Sequence, residues 1–225
     1  MLRRYANLFA LTGVTDTMRS EGALRLDDGR LARGRRSRVR IRESARALFR
    51  ERGFDGTTLR AIAARAGMGA SSIYRHVGSK HELLVLELAE LQEEAWSRFR
   101  AVDDRASPTR DRIGRFLRVQ HELLARDPDL TVIALRATTY PEAGVAKRVL
   151  ALHDRTIGLL AELLQGGRSR GDLRRDVDVL TAARAFFQVA TGARISWANG
   201  QLSEAGCRQS IEASVELLFQ GVGSG

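Results

Sequence analysis

Apolar residues recur three and four positions apart from residue 35 to near the end of the chain, with polar residues between them. This is the spacing of amphipathic helices, and no run of alternating apolar and polar residues indicates a strand. The pattern therefore predicts an all-α protein of about nine helices.

The first part of this pattern predicts three helices in close succession. The first ends at Gly53, and the second begins at the cap residues Thr57 or Thr58 and ends at Gly67. The third covers residues 70–77. The apolar stripe of the first helix consists of Ile41, Ala45, Leu48 and Phe49. Two short helices joined by a glycine-containing turn and packed on a preceding helix are typical of a helix-turn-helix.

Longer helices are predicted after this unit. Ser79 and Glu82 form a capping box that starts the first of them. Prolines and glycines separate the later segments, and Gly166 with Gly167 is predicted to close a helix at residue 165. The predicted segments are 80–102, 108–126, 128–139, 141–165, 178–199 and 204–220.

The periodicity also predicts three parts in the chain. Residues 1–34 lack sustained periodicity and end in a stretch rich in Gly, Asp and Arg, so we expect a mobile extension in which Met18 is an alternative start. Residues 35–82 form the helix-turn-helix domain. Residues 83–225 form a larger helical domain.

Charge and cysteine content narrow the functional classes. The formal net charge of +10 comes mainly from arginine, whose planar charged fork binds phosphate, so nucleic acid is the favoured partner. No segment approaches the roughly 18 apolar residues that span a bilayer, and we expect no membrane partner. The single cysteine, Cys207, excludes an internal disulfide and fits a reducing cytoplasm. We expect no metal and no cofactor.

The third helix of the helix-turn-helix has a polar outer face. Ile73 and Val77 fall on one face and hold the helix against the first two. The residues turned away or flanking carry groups that suit base edges and phosphates: Ser71, Ser72, Tyr74, Arg75 and His76. The first helix adds a basic cluster that can neutralise phosphates: Arg35, Arg36, Arg38, Arg40, Arg42 and Arg46.

The stretch Ala45 to Leu84, ARALFRERGFDGTTLRAIAARAGMGASSIYRHVGSKHELL, resembles the DNA-binding domain of the TetR family of repressors. Its Gly-Phe, Thr-Thr, Ile-Ala, Ala-Gly, Ile-Tyr-x-His and Ser-Lys-x-x-Leu-Leu landmarks occur in that family's order and spacing. The resemblance implies phosphate contacts at Thr58, His76 and Lys80. It also implies base and backbone contacts around Ser71, Ser72, Tyr74 and Arg75. Gly69 and Ala70 depart from the family's usual capping Ser and polar residue, so we expect a weaker first base or phosphate contact there.

The resemblance further implies a homodimer whose last two long helices pair with their mates. The apolar stripes of these helices are wide enough for a second partner. The predicted interface residues are Leu180, Ala183, Phe187, Ala190, Trp197, Ile211, Val215 and Leu218. Monomer core is the alternative explanation of the same stripes.

Residues 83–225 are accordingly expected to bind an effector as well as to form the dimer. The candidate contacts are polar and aromatic residues on mostly apolar helices: Phe116, His121, Arg136, Tyr140, His153, Arg184, Phe187 and Gln188. A mostly apolar pocket with a few polar groups favours a lipophilic small molecule. Each of these residues also fits hydrogen-bonded core or plain surface.

The sequence thus predicts a transcriptional regulator, expected to be a repressor, that binds a palindromic operator and is released by a small molecule. A DNA-coating or helical interaction module without sequence preference is the alternative, and an all-α enzyme is a weaker one. His81-Glu82 and His121-Glu122 begin like a zinc-protease motif, but Val85 and Ala125 stand where the second His is needed. We therefore expect no enzymatic activity.

Overall fold

The computed structural model describes residues 21–222, and this part of the chain contains nine helices and no strand. The helices are α1 (Glu21–Arg52), α2 (Leu59–Arg65), α3 (Ala70–Ile73), α4 (Lys80–Val102), α5 (Thr109–Leu124), α6 (Pro128–Thr139), α7 (Ala146–Arg170), α8 (Val179–Ala198) and α9 (Glu204–Val222). The predicted all-α class is confirmed.

The first helix begins earlier than the periodicity indicated. Residues 21–34 of the predicted mobile extension belong to α1, and residues 1–20, including Met18, lie outside the described residues. Eight of the fourteen residues of this segment are Leu, Ala or Arg, which are good helix formers, whereas its three Gly and two Asp residues and the lack of an apolar stripe led to the prediction of an extension.

Two other helices differ by more than two residues from their predicted limits. The third helix ends at Ile73, and the chain from Tyr74 to His76 continues as a turn with backbone bonds to residues three positions earlier. The seventh helix begins at Ala146 and not at residue 141. It does not close at Gly166 and Gly167 but runs to Arg170, where Gly171 takes a φ of 88°. The predicted end at residue 165 is therefore wrong.

Tertiary packing explains why Gly167 lies inside a helix. Gly167 is buried against the first residue of α5, and a Cβ at this position would overlap the Thr109 side chain. The Thr109 hydroxyl in turn donates to Asp172 Oδ2 over 2.6 Å. The glycine therefore permits a close approach between α7 and α5 and does not act as a helix terminator.

A single apolar core runs from the helix-turn-helix to the last helix. Within it α8 packs against α7 and α9, and α4 packs against α5 and α6. Phe99 and Phe116 are fully buried at its centre with their ring centroids 5.6 Å apart. The two predicted domains are thus joined by continuous packing.

Helix α4 links the two parts directly. Ser79 caps it by accepting a bond from Glu82 N over 3.1 Å, as the sequence predicts. The Glu82 carboxylate accepts a bond from Gly78 N over 2.8 Å, one residue before the Ser79 N–H that a capping box uses, and it forms an ion pair with Arg148 of α7. The start of α4 is therefore bonded to both the helix-turn-helix and the larger domain.

Candidate functional site

The helix-turn-helix is held by local caps. The Thr58 hydroxyl accepts a bond from Ala61 N over 3.1 Å, while the buried Thr57 hydroxyl donates to Gly53 O over 2.8 Å. At the other end of α2, Gly67 has a φ of 64° and Met68 N donates to Ala63 O. This pair of backbone features forms a Schellman turn, which sets the angle at which α3 leaves α2.

The outer face of α3 is open to solvent. Ile73 and Val77 are buried in the apolar core, as their spacing predicts, and α3 packs against α2. On the opposite side Ser71 and Arg75 are exposed, and Tyr74 is 56% exposed. Arg75 Nη2 donates to Ser72 Oγ over 3.0 Å, which extends the guanidinium along this face. A large aromatic ring and hydrogen-bonding groups left in solvent are typical of a recognition surface.

The predicted phosphate contacts at the edge of this face are partly engaged within the chain. Lys80 is half-buried, and its Nζ donates to Phe54 O over 2.7 Å and lies 4.5 Å from the centroid of the Phe54 ring. An ammonium group has three donors, so others are left for a phosphate. His76 is half-buried beside Val77.

The basic cluster of α1 divides into two sets. Arg42 and Arg46 form ion pairs with Glu90 and Glu87 of α4, which makes them links between helices. The remaining members are exposed, and no ion pair is found for them within the described residues: Arg35, Arg36, Arg38 and Arg40. The sequence alone could not separate the two sets because the partner carboxylates lie forty or more positions away.

A cavity of about 60 Å³ lies between α4, α5, α6, α7 and α8. Its lining is mostly apolar: Leu88, Leu91, Leu124, Leu135, Leu152 and Phe187. The polar members of the lining are Gln92, Gln120, Thr138, His153, Thr156, Thr191 and Arg194. This mixture is typical of a small-molecule site.

The polar groups around the cavity are incompletely paired. Gln92 Nε2 donates to Thr156 Oγ1 over 2.5 Å, but Gln92 Oε1 and Gln120 Oε1 have no hydrogen-bond partner among the described residues. Arg194 is 5% exposed and donates from Nη2 to Leu117 O over 3.2 Å, while its Nε–H lacks an acceptor. Burial lowers the pKa of Arg194 to about 10, so the guanidinium stays charged at neutral pH.

Only two of the eight predicted effector residues line this cavity. They are His153 and Phe187, whose rings lie 5.0 Å apart. Arg184 and Gln188 are exposed, Tyr140 is 90% exposed, and the exposed Arg136 donates to Ala198 O. Phe116 packs among Trp96 and Phe99, away from the cavity.

His121 belongs to a separate buried group. Its Nε2 lies 3.2 Å from Glu204 Oε1, and its Nδ1 lies 3.8 Å from Cys207 Sγ. Burial, followed by the charge of Arg194, lowers the pKa of His121. Burial also raises the pKa of the Cys207 thiol to about 11, which makes this thiol a weak nucleophile.

The predicted dimer residues face mostly inward. Five of them are buried within the single chain: Ala183, Ala190, Trp197, Ile211 and Val215. Leu180 and Leu218 are half-buried, and Phe187 lines the cavity. The stripes on α8 and α9 thus serve chiefly the core of the chain, and the surface left for a partner lies beside them.

The described residues also bear on membrane and metal binding. None of the helices there is long and apolar enough to cross a membrane. In the same part of the chain, no group of three or more His, Cys, Asp or Glu side chains is arranged to hold a metal ion.

The sequence is similar to that of known bacterial regulatory proteins. Residues 41–86 match the model of the bacterial regulatory proteins of the tetR family. The chain is 29% identical over 187 residues to the HTH-type transcriptional repressor KstR of Rhodococcus jostii. This alignment covers 81% of this chain and 82% of that protein. It is 22% identical over 156 residues to the HTH-type transcriptional regulator UidR of Escherichia coli, with 69% and 79% covered.

Solved structures share the fold. Thermus thermophilus FadR, a transcriptional repressor solved with lauroyl-CoA, matches with a TM-score of 0.70 and 24% identity over 82% of this chain and 94% of that one. Bacillus subtilis FadR, solved with stearoyl-CoA, matches with a TM-score of 0.67 and 18% identity over 81% and 98%. The likeness extends over both the helix-turn-helix and the larger helical domain.

Proposed function

Because the chain belongs to the tetR family of bacterial regulatory proteins, we propose that it binds a palindromic DNA operator as a homodimer and leaves it when a small molecule binds. It is a transcriptional regulator, and repression is the role of its relative KstR. A protein that binds chromosomal DNA acts in the bacterial cytoplasm. We propose no catalytic step for any of its sites.

The observation that carries this proposal is the anchored polar face of α3. Buried Ile73 and Val77 fix the helix while Ser71, Tyr74 and Arg75 project into solvent. A helix that is held on one side and polar on the other can enter the major groove, where each base pair presents a distinct set of donors and acceptors. We propose base contacts from Arg75 and its neighbours.

The surrounding groups favour phosphate binding. We propose that Thr58, His76 and Lys80 contact the DNA backbone beside α3, and that Arg36 and the other exposed α1 arginines extend this contact. Such contacts release counterions and make affinity fall with salt, whatever the base sequence. They position the recognition helix without reading sequence.

A homodimer supplies the second recognition helix. We propose that the mates meet through the surface of α8 and α9 that lies beside the buried stripes. This surface carries small side chains and one large apolar residue: Ala185, Gly192, Ser210, Ser214 and Leu217, of which Leu217 is 68% exposed. Two helices with small outward residues can approach closely and form a four-helix contact.

Helix α4 connects the cavity to the DNA-binding face. Its first turn carries Lys80 and Glu82, and Leu88 and Gln92 of the same helix line the cavity. A volume of about 60 Å³ is smaller than the roughly 300 Å³ of a typical ligand pocket, so a larger ligand must displace side chains of α4 or its neighbours. We propose that this displacement favours the dimer shape that does not fit DNA.

A salt-titrated binding experiment tests the DNA-binding role. The duplex is selected from a random pool with the full chain, and its affinity is compared with that of a scrambled duplex by fluorescence anisotropy. We expect a sequence-dependent gap of at least a hundredfold at each salt concentration. Equal affinity for both duplexes would favour the alternative of a DNA-coating module.

Two variants separate base contacts from phosphate contacts. Arg75→Ala is expected to narrow the gap between selected and scrambled duplexes by about 1–3 kcal/mol. Lys80→Met keeps the aliphatic stem over Phe54 and removes the charge, so it should weaken both duplexes and flatten the salt slope by about one unit. Arg155→Met, on an exposed part of α7, is the control and should change neither quantity.

A further inference from the structure

We propose that the effector carries a single carboxylate on an apolar body, and that Arg194 binds this carboxylate at the wall of the cavity. The inference rests on the proposed function, because it names the chemical class of the ligand that the regulator senses. Arg194, Gln92 and Gln120 all line the cavity, and none of them is among the effector contacts predicted from the sequence.

The first observation is an uncompensated buried cation. Arg194 lines the cavity at 5% exposure, and no carboxylate forms an ion pair with it among the described residues. One hydrogen bond, from Nη2 to Leu117 O, is found for its guanidinium, and Nε–H has no acceptor. An unpaired charge in an apolar setting is costly, so an anion that enters the cavity gains a charge-assisted bond and removes that cost.

The second observation is a pair of unsatisfied amides on the same cavity. Gln92 and Gln120 are 3% and 8% exposed, line the cavity, and each leaves its Oε1 without a partner. An amide presents either its oxygen or its NH₂ group after a half-turn. After such a turn Gln92 Oε1 would accept the Thr156 hydroxyl proton, which otherwise goes to Leu152 O over 3.3 Å. We assign both amides, which line the same cavity, as donors to the oxygens of a carboxylate held by Arg194.

The charge count of the cavity limits the ligand to a monoanion. His153 is the other basic residue of the lining, and burial lowers its pKa, so it is neutral at pH 7. One guanidinium balances one negative charge, which fits a carboxylate and leaves a phosphate dianion half-compensated. Leucines and Phe187 form the rest of the wall and suit an apolar body.

The test compares ligands that differ only in the head group. Dodecanoate, 4-butylbenzoate and 5β-cholanoate are each titrated calorimetrically into the full-length chain, together with the corresponding primary alcohol and primary amine. We expect at least one acid to bind, and to bind at least tenfold more tightly than its alcohol, with the amine weaker still. Equal binding of acid and alcohol, or binding by none of the acids, would overturn the proposal.

Variants assign the preference to Arg194. In Arg194→Met the ratio of acid to alcohol affinity should fall to about one, and in Arg194→Lys it should fall to an intermediate value because the charge stays and the planar fork is lost. Arg98→Met, on the exposed side of α4, is the control and should keep the wild-type ratio. If Arg194→Met does not fold, Arg194→Lys is used in its place, together with a crystal structure of the wild-type chain with the acid. An unchanged ratio of acid to alcohol affinity in Arg194→Lys, with the acid bound away from the cavity in the crystal, would refute the assignment.

The outcome is separable from that of the proposed function. Acid binding that depends on Arg194 but leaves operator affinity unchanged would uphold the ligand class and contradict the release mechanism. Operator binding with a sequence-dependent gap, together with no acid binding, would uphold the DNA-binding role and contradict the ligand class. Calorimetry without DNA and anisotropy with DNA therefore test the two statements independently.

Discussion

Adjacent glycines in α7 are expected to respond to alanine in opposite directions. A Cβ at Gly166 would meet its nearest neighbours, Arg170 Nη1 and Arg112 Nη1, at 3.7 and 3.9 Å, which is ordinary contact. A Cβ at Gly167 would instead overlap the side chain of Thr109. The two positions share a helix and differ in what faces them.

The magnitudes follow from two opposing contributions. Replacing Gly by Ala inside a helix stabilises by about 0.5–1 kcal/mol, and this gain is available to Gly166→Ala in full. Gly167→Ala has the same gain, but forcing a methyl into packed atoms costs about 1–3 kcal/mol. The same overlap disturbs the Thr109 hydroxyl, which donates to Asp172 and accepts from Arg170 over 2.9 Å. We expect Gly167→Ala to be destabilised by about 1–2 kcal/mol overall.

Urea unfolding at a fixed protein concentration measures the difference, because a dimer's apparent stability depends on concentration. The two variants should differ by about 2 kcal/mol in the free energy of unfolding, which corresponds to roughly 4–8 °C in Tm for a chain of this size. If Gly167→Ala were as stable as Gly166→Ala, the contact between α7 and α5 would not be the reason for the glycine.

Three further outcomes are expected. Leu217→Arg should shift the chain from dimer to monomer in sedimentation velocity. Leu150→Arg, at a similarly exposed position on α7, is the control and should leave the dimer intact. If both variants remained dimers, the interface would lie elsewhere. Burial lowers the pKa values of His121 and His153, so the folded protein binds fewer protons than the unfolded chain. Stability should therefore be full above about pH 6.5 and fall as the pH drops below it, as thermal unfolding across that range would show. A flat profile would contradict their burial. Gly67→Ala imposes a φ of 64° on a residue with a Cβ and should cost about 1–2 kcal/mol, measured by urea unfolding, with a matching loss of operator affinity.

The helix-turn-helix was predictable because its determinants are local. Thr58, Gly67 and Ser79 act on backbone groups within a few positions, so their spacing alone indicates where α2 and α4 begin and where α2 ends. Ile73 and Val77 share one face by helical periodicity, and the structure buries both. The contacts proposed for the outer face stay predictions.

The cavity was not predictable from local pattern because five helices form it. Gln92 and Gln120 read as ordinary polar residues until α4 and α5 are packed together. Arg194 did carry a signal: it follows the buried Ala190 by four positions and precedes Trp197 by three, which places a charged residue on the core-facing side of α8. The sequence pattern also predicts a helix end at Gly167, because the Thr109 side chain that requires a glycine there lies far away in sequence.

The continuity of α4 has a mechanical consequence. Gln92 stands twelve residues beyond Lys80, which is about 18 Å along a helix with a rise of 1.5 Å per residue. A tilt of about 5° around the cavity would therefore swing the Lys80 end through roughly 1.6 Å. Two mates that swing in opposite directions would change the span between their groove-reading helices by about 3 Å, enough to lose register with grooves that repeat every 34–36 Å or so. An unbroken rod can thus convert a small rearrangement of side chains into a mismatch with the DNA helical repeat.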